Sequence, residues 1–358
     1  MQVLSQYTDS IFDQLRLKQD VLADHAVQAL VSNPHFAEEI NSWESIPASI
    51  PINFPVELQR YFDFYLAKKK EFFGDEHQTA QTYFERNGDL YLAMLGFYSL
   101  PYCYAFADGA QVLVRSQRIL DQIGERLGET TRFVLDVFKP AAFSSQDTAY
   151  LSCAKVRLIH GFSRYFIRRY AKDWDPAFGE PINQEDLLGT NLAFSHIVLR
   201  GMTKMGMSPN ATEHRAILLY WKWIGELMGV ETSLWPSTPK EAFELDSLIR
   251  KRQLKASEAG KKLTRALLEF YQKNIHDGLL NTQLESILVF FLGKEVSKAV
   301  GLSSQVQVPG DVIGLVLKGT GFKTFGSQKN YLALKKNLDS QQILQFGKIL
   351  QLNIPVLK

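Results

Sequence analysis

Residues 144–170, SSQDTAYLSCAKVRLIHGFSRYFIRRY, carry the pattern from which the rest of the chain is read. Apolar side chains cover most of a helix drawn through them: Tyr150, Leu151, Ala154, Val156, Leu158, Ile159, Phe162 and Phe166. A helix apolar on most sides belongs inside a protein. Within it Arg157, His160 and Arg164 stand at i, i+3 and i+7, on one stripe. Buried guanidinium groups are costly unless anions pair with them, and this helix offers no acid at neighbouring positions. The same positive charges disfavour protonation of the imidazole and hold His160 in the neutral form that ligates metals. Haem answers both demands, because its iron takes a neutral imidazole and its propionates take guanidinium partners. The competing reading is a structural histidine, hydrogen-bonded in the core.

Away from this helix the same three-and-four spacing recurs nearly everywhere, with almost no alternating run of β-branched residues, so the fold class is all-α. Helix starts are predicted at Asn33-Pro34, at Pro55, at Ser144 with Asp147, at Asn183 with Asp186, at Asn210 with Glu213 and at Thr238-Pro239. Stops are predicted at Gly74, Gly88, Gly229 and Gly278. Connections are short, and neither a Ser/Gly/Pro-rich linker nor a solenoid repeat divides the chain. The expectation is therefore a single large multi-helix domain over residues 1–358, with a buried haem site and a C-terminal extension, residues 301–358, packed on the core. Residues 303–326, SSQVQVPGDVIGLVLKGTGFKTFG, are the least helix-like, and Lys318, Lys323 and Lys329 read as a solvated face.

Lys plus Arg number 40 against 38 for Asp plus Glu, a net charge of +2 that leaves no footprint for nucleic acid. Cys103 and Cys153 are too few for a disulfide framework, and the first twenty residues lack the anatomy of a signal peptide, so a cytoplasmic setting is expected. Residues 90–107, LYLAMLGFYSLPYCYAFA, are uncharged and just long enough to span a bilayer. Pro101 interrupts them, and Tyr91, Tyr98, Tyr102 and Tyr104 spread hydroxyls along their length, which fits a broken, buried element and no transmembrane segment.

Upstream of the decisive helix, GERLGETTRFVLDVF at 124–138 sets Arg126, Glu129 and Thr130 at i, i+3 and i+4, a second polar stripe that can face the first. Three blocks, RLGET at 126–130, KVRLIHGFSR at 155–164 and FGEPINQEDLLGTNLAFS at 178–195, together resemble a known family. It comprises the latex-clearing proteins (rubber oxygenases) and the endoplasmic-reticulum-bound oxygenase of mycophenolic acid biosynthesis, which share one α-helical haem domain. The likeness covers roughly residues 80–300, loosening in EHRAILLYWKWIGELMGV at 213–230.

The resemblance implies haem b as cofactor and His160 as the proximal iron ligand. It implies that Arg157 and Arg164 support the proximal side and the propionates, with Arg126 and Thr130 on the distal face. Glu129 stands where several rubber oxygenases have a lysine, and the upstream acid of those enzymes falls on Ala110, near Asp108. Membership of such a family predicts a cofactor better than a substrate.

The function expected is a haem-dependent oxygenase that uses dioxygen on a hydrophobic, unsaturated small molecule, with Arg126, Glu129 and Thr130 as catalytic residues and Glu129 moving a proton. The alternative is a haem-binding sensor, carrier or peroxidase-like protein without a dedicated organic substrate. His196 reads as core packing or as a second approach to the site, and His214 as a cap or surface residue. His25, His35, His77 and His276 show no ligand-like spacing, which argues against a dinuclear non-haem centre. Tyr220, Trp221, Trp223, Phe290 and Phe291 read as core anchors, and no nucleophile elbow, P-loop or dinucleotide fingerprint occurs.

Overall fold

The periodic apolar residues build helix after helix in a computed structural model that describes residues 3–71, 74–115, 122–144, 148–275, 278–303 and 330–357. In chain order these are α1 (Asp9–Arg16), α2 (Val21–Ser32), α3 (His35–Ser42), α4 (Val56–Lys68), α5 (Asp75–Met94), α6 (Leu100–Tyr104), α7 (Ala107–Arg115) and α8 (Ile123–Phe138). There follow α9 (Thr148–Tyr170), α10 (Gln184–Leu192), α11 (Val198–Lys204), α12 (Ala211–Leu227), α13 (Pro239–Gln253), α14 (Glu258–Asn274), α15 (Gly278–Ala299) and α16 (Tyr331–Phe346). Among the described residues no strand forms, and extended pairing is limited to an isolated bridge between Phe106 and Leu254. The all-α expectation holds.

Side-chain caps mark the helix starts predicted at Asn183, Asn210 and Thr238. Asn183, Asn210 and Thr238 each accept a hydrogen bond from the backbone N–H three residues on, and Glu213 and Glu241 reach back to close capping boxes. Gly229 ends α12 with φ 79°, a conformation that favours glycine. The other predicted stops differ. Gly88 sits buried inside α5, where a Cβ would come within 2.6 Å of Leu334 Cδ2, so its small size admits α16 instead of ending a helix. Gly74 precedes α5 as its N-cap and Gly278 opens α15. Asp147, His276 and residues 304–329, with Lys318, Lys323 and Lys329, lie outside the described residues.

The uncharged stretch at 90–107 is buried as predicted, but Pro101 does not interrupt it: α5 passes at Met94 into a π turn over Leu95–Ser99 and on into α6, which holds Pro101 in its first turn and ends at Tyr104, the π turn absorbing the missing N–H. Three of its tyrosines are hydrogen-bonded within the protein. Tyr91 donates to the Phe194 carbonyl, Tyr102 donates to Asp246 at 2.6 Å, and Tyr98 accepts from Arg200 Nε at 2.6 Å. No described helix is long and apolar enough to cross a membrane.

The decisive helix, α9, is buried along most of its length, with α2 packed against one face and α8 against another. Ser152 donates to Asp136 at 2.8 Å, which sets α8 and α9 antiparallel across the short connection between them. The beginning of α8 therefore runs beside the second half of α9. The sequence-predicted anchors lie in the core around this pair: Trp221 donates to the Tyr91 hydroxyl at 2.8 Å, and Tyr220 donates to the Val137 carbonyl. C-terminal α16 packs on α5 and α8.

Candidate functional site

Arg157, His160 and Arg164 share one side of α9, as their spacing requires, but the counter-charges of the arginines come from the chain itself. Arg157 donates to both oxygens of Asp20, Nε at 2.5 Å and Nη2 at 2.8 Å, and Arg164 Nε donates to Asp24 at 2.5 Å. Asp20 is the N-cap of α2, accepting from Ala23 N, and Asp24 lies one turn further along the same helix. The expectation that these guanidinium groups demand carboxylates from outside the chain is thus overturned. A helix 137 residues away in sequence supplies them. Each arginine keeps one enclosed Nη1 without a partner among the described residues, so a donor remains on each, but the buried charge is already balanced.

His160 departs from the structural-histidine reading. Its Nδ1 is enclosed and has no hydrogen-bond partner among the described residues. Buried polar atoms are normally paired, and an orphan of this kind is a place to look for an absent partner. Burial first, then the charges of Arg164 and Arg126, lower the His160 pKa to about 3 against the opposing pull of Asp20. The ring is therefore neutral at physiological pH. A neutral imidazole on a rigid buried helix is the donor that haem iron or a borderline metal takes, so the residues present fit a single axial ligand.

Across from it, α8 brings the second stripe together. Arg126 pairs with Glu129 at 3.3 Å, and the Thr130 hydroxyl donates to the Arg126 carbonyl at 2.9 Å. Glu129 is buried, whereas Arg126 remains partly open with its charge felt at His160. Gly124 and Gly128, on another side of α8, let Phe270 and Leu350 approach closely.

His196 does not join this group: its ring lies against His214, and Arg200 is its nearest charge. Ala110 has no acid to offer, and Asp108 is paired with Arg16 at 3.1 Å. Sequence reasoning missed Asp20 and Asp24 altogether. The available signal was their i, i+4 spacing at a helix start, which marks one acidic face without saying which cations meet it.

Arg16 of α1 also reaches Glu185 at 3.3 Å and Asp186 at 3.6 Å, while Arg252 takes Glu185 at 2.8 Å. Burial, opposed by Arg16 and reinforced by Glu185 and Asp108, pushes the Asp186 pKa up to about 7. The native state thus keeps this proton while an unfolded aspartate has released it near pH 4, so the stabilisation is present at low pH and is lost as pH rises toward 7. Asp186→Asn mimics the protonated form. In thermal melts it is expected to match wild type only below about pH 4 and to exceed it increasingly up to pH 7–8, by on the order of 1–4 kcal/mol; equal stabilities at pH 8 would contradict the assignment.

These features define a class: an all-α protein with a neutral, half-buried imidazole on a central helix and a polar stripe on the neighbouring helix. Residues 103–316 match the family described as "ER-bound oxygenase mpaB/B'/Rubber oxygenase, catalytic domain", more than half of the chain, and the chain belongs to that family. It is 24% identical over 184 residues to the rubber oxygenase of Streptomyces sp. (strain K30), an alignment covering 51% of this chain and 45% of that protein. The match thus spans less than half of that relative's length. The solved structure of latex clearing protein LCP in the closed state is similar with a TM-score of 0.70 and 18% identity, covering 93% of this chain and 91% of that one. The shared fold extends well beyond the segment where sequence likeness is detectable.

Proposed function

We propose that this chain is a haem-b oxygenase acting with dioxygen on a hydrophobic, unsaturated small molecule. The observation that carries the reading is His160: a neutral imidazole with an orphaned Nδ1, held in a family of oxygenases beside the Arg126 and Thr130 stripe. When bound, haem supplies the activation of dioxygen that no side chain provides. His160 holds the iron. Arg157 and Arg164, through Asp20 and Asp24, fix α9 against α2 so that the imidazole keeps its position.

Arg126 contributes a cation whose field acts at the site, and Thr130 a hydroxyl that can turn from the Arg126 carbonyl toward a ligand. Glu129, kept beside Arg126, is the group placed to accept or return a proton. The two free cysteines, Cys103 and Cys153, support a reducing, cytoplasmic setting.

Oxygen consumption by the haem-loaded protein with a panel of polyenes tests the reading. Uptake with at least one polyene is expected, falling roughly a hundredfold in Arg126→Ala while haem absorbance is retained. No uptake with any polyene by a fully loaded protein would instead make the chain a carrier or sensor.

A further inference from the structure

Two histidines have no part in that chemistry. His196 lies in the π turn Ala193–Ile197 that joins α10 to α11, and His214 lies in the first turn of α12. Their ring centroids are 5.7 Å apart with planes tilted by 31°. His196 is only 6% exposed, yet both of its ring nitrogens are enclosed without a partner among the described residues. Nε2 of His214 is enclosed and unpartnered as well, although that residue keeps a partial opening to solvent. The rings do not hydrogen-bond to one another. Each such orphan costs about 1–3 kcal/mol, and a single partner lying between the rings relieves one nitrogen of each.

The geometry points to a divalent transition-metal site formed by His196 and His214, with zinc as its reference ion. With metal–nitrogen bonds of about 2.0–2.1 Å, two imidazoles on one ion place their centroids about 5–6.5 Å apart, which brackets the separation here. Both rings are neutral and offer a lone pair: burial lowers the pKa of each, and Arg200 and His214 help to bring that of His196 to about 3.

Arg200, the nearest cation, is occupied by Asp246 at 2.8 Å and by the Tyr98 hydroxyl at 2.6 Å. Glu213, beside His214 in sequence, is used by the α12 cap and by Arg86. Among the described residues no third His, Cys, Asp or Glu completes a cage, so water takes the remaining positions and the ion stays exchangeable. His196 stands in a π turn, and such turns collect at functional sites. An ion here ties the α10–α11 line to α12 and stabilises the fold by mass action.

Calorimetric titration of the full chain with zinc chloride tests the site, with His214→Asn as the main variant because His214 is partly open and its replacement leaves the core intact. One ion per chain is expected, with affinity at least about tenfold weaker in His214→Asn and an unchanged haem spectrum. Zinc is also expected to raise the melting temperature of the wild type and not that of the variant. Absence of a saturable one-to-one heat, or equal affinity in His214→Asn, would overturn the proposal and leave ordered water as the partner of these nitrogens.

Discussion

Asp20→Ala is expected to destabilise the protein by about 3–5 kcal/mol in denaturant melts, the range for breaking a buried ion pair from one side. The reason lies in the geometry of α9 on α2. The Asp20 carboxylate and the Arg157 guanidinium are each almost wholly enclosed, with side-chain exposures of 4% and 6%, and share two hydrogen bonds. Removing the carboxylate strands a guanidinium that has Phe64 and Tyr61 as its other neighbours, and it also removes the N-cap of α2. Asp20→Asn keeps the cap and one acceptor and should cost less. The double variant Asp20→Ala/Arg157→Leu should recover part of the loss, because it removes the uncompensated charge. A cost below about 1 kcal/mol for Asp20→Ala would mean that Arg157 has another counter-charge.

His160→Ala is expected to separate stability from cofactor binding. In the protein without haem the variant loses ring packing, but it also removes a desolvated imidazole with an orphaned nitrogen. These effects oppose one another, so stability should change by no more than about 1 kcal/mol. In the presence of haem the same substitution removes the ligand proposed for iron, and oxygen uptake should fall to background. A variant that unfolds would show this histidine to be structural, whereas one that folds but no longer takes up haem shows it to be a ligand.

Much of this was legible in the amino-acid sequence because it is encoded locally. The three-and-four spacing and the capping residues at Asn183, Asn210 and Thr238 are properties of short segments, and all reappear in the structure, whereas the break expected at Pro101 is replaced by a π turn just before it. The stripe of Arg157, His160 and Arg164 was likewise local. What balances it was not, since Asp20 and Asp24 lie more than a hundred residues upstream and meet it only through helix packing. The inference that buried arginines need anions was sound physics applied to too short a stretch of chain. Gly88 misled for a related reason: a glycine inside a helix reads as a stop until the side chain pressed against it, Leu334, is known. The facing imidazoles of His196 and His214 show the same limit, because eighteen positions of sequence separate two rings that the fold sets side by side.

The most direct test of the account is a haemin titration followed in the Soret region, with wild type beside His160→Ala and with free imidazole added to the variant. The account predicts one haem per wild-type chain, a weakened or displaced band in the variant, and its return when imidazole fills the space left by the side chain. Identical bands and stoichiometry in the two proteins would contradict the assignment of the iron to His160.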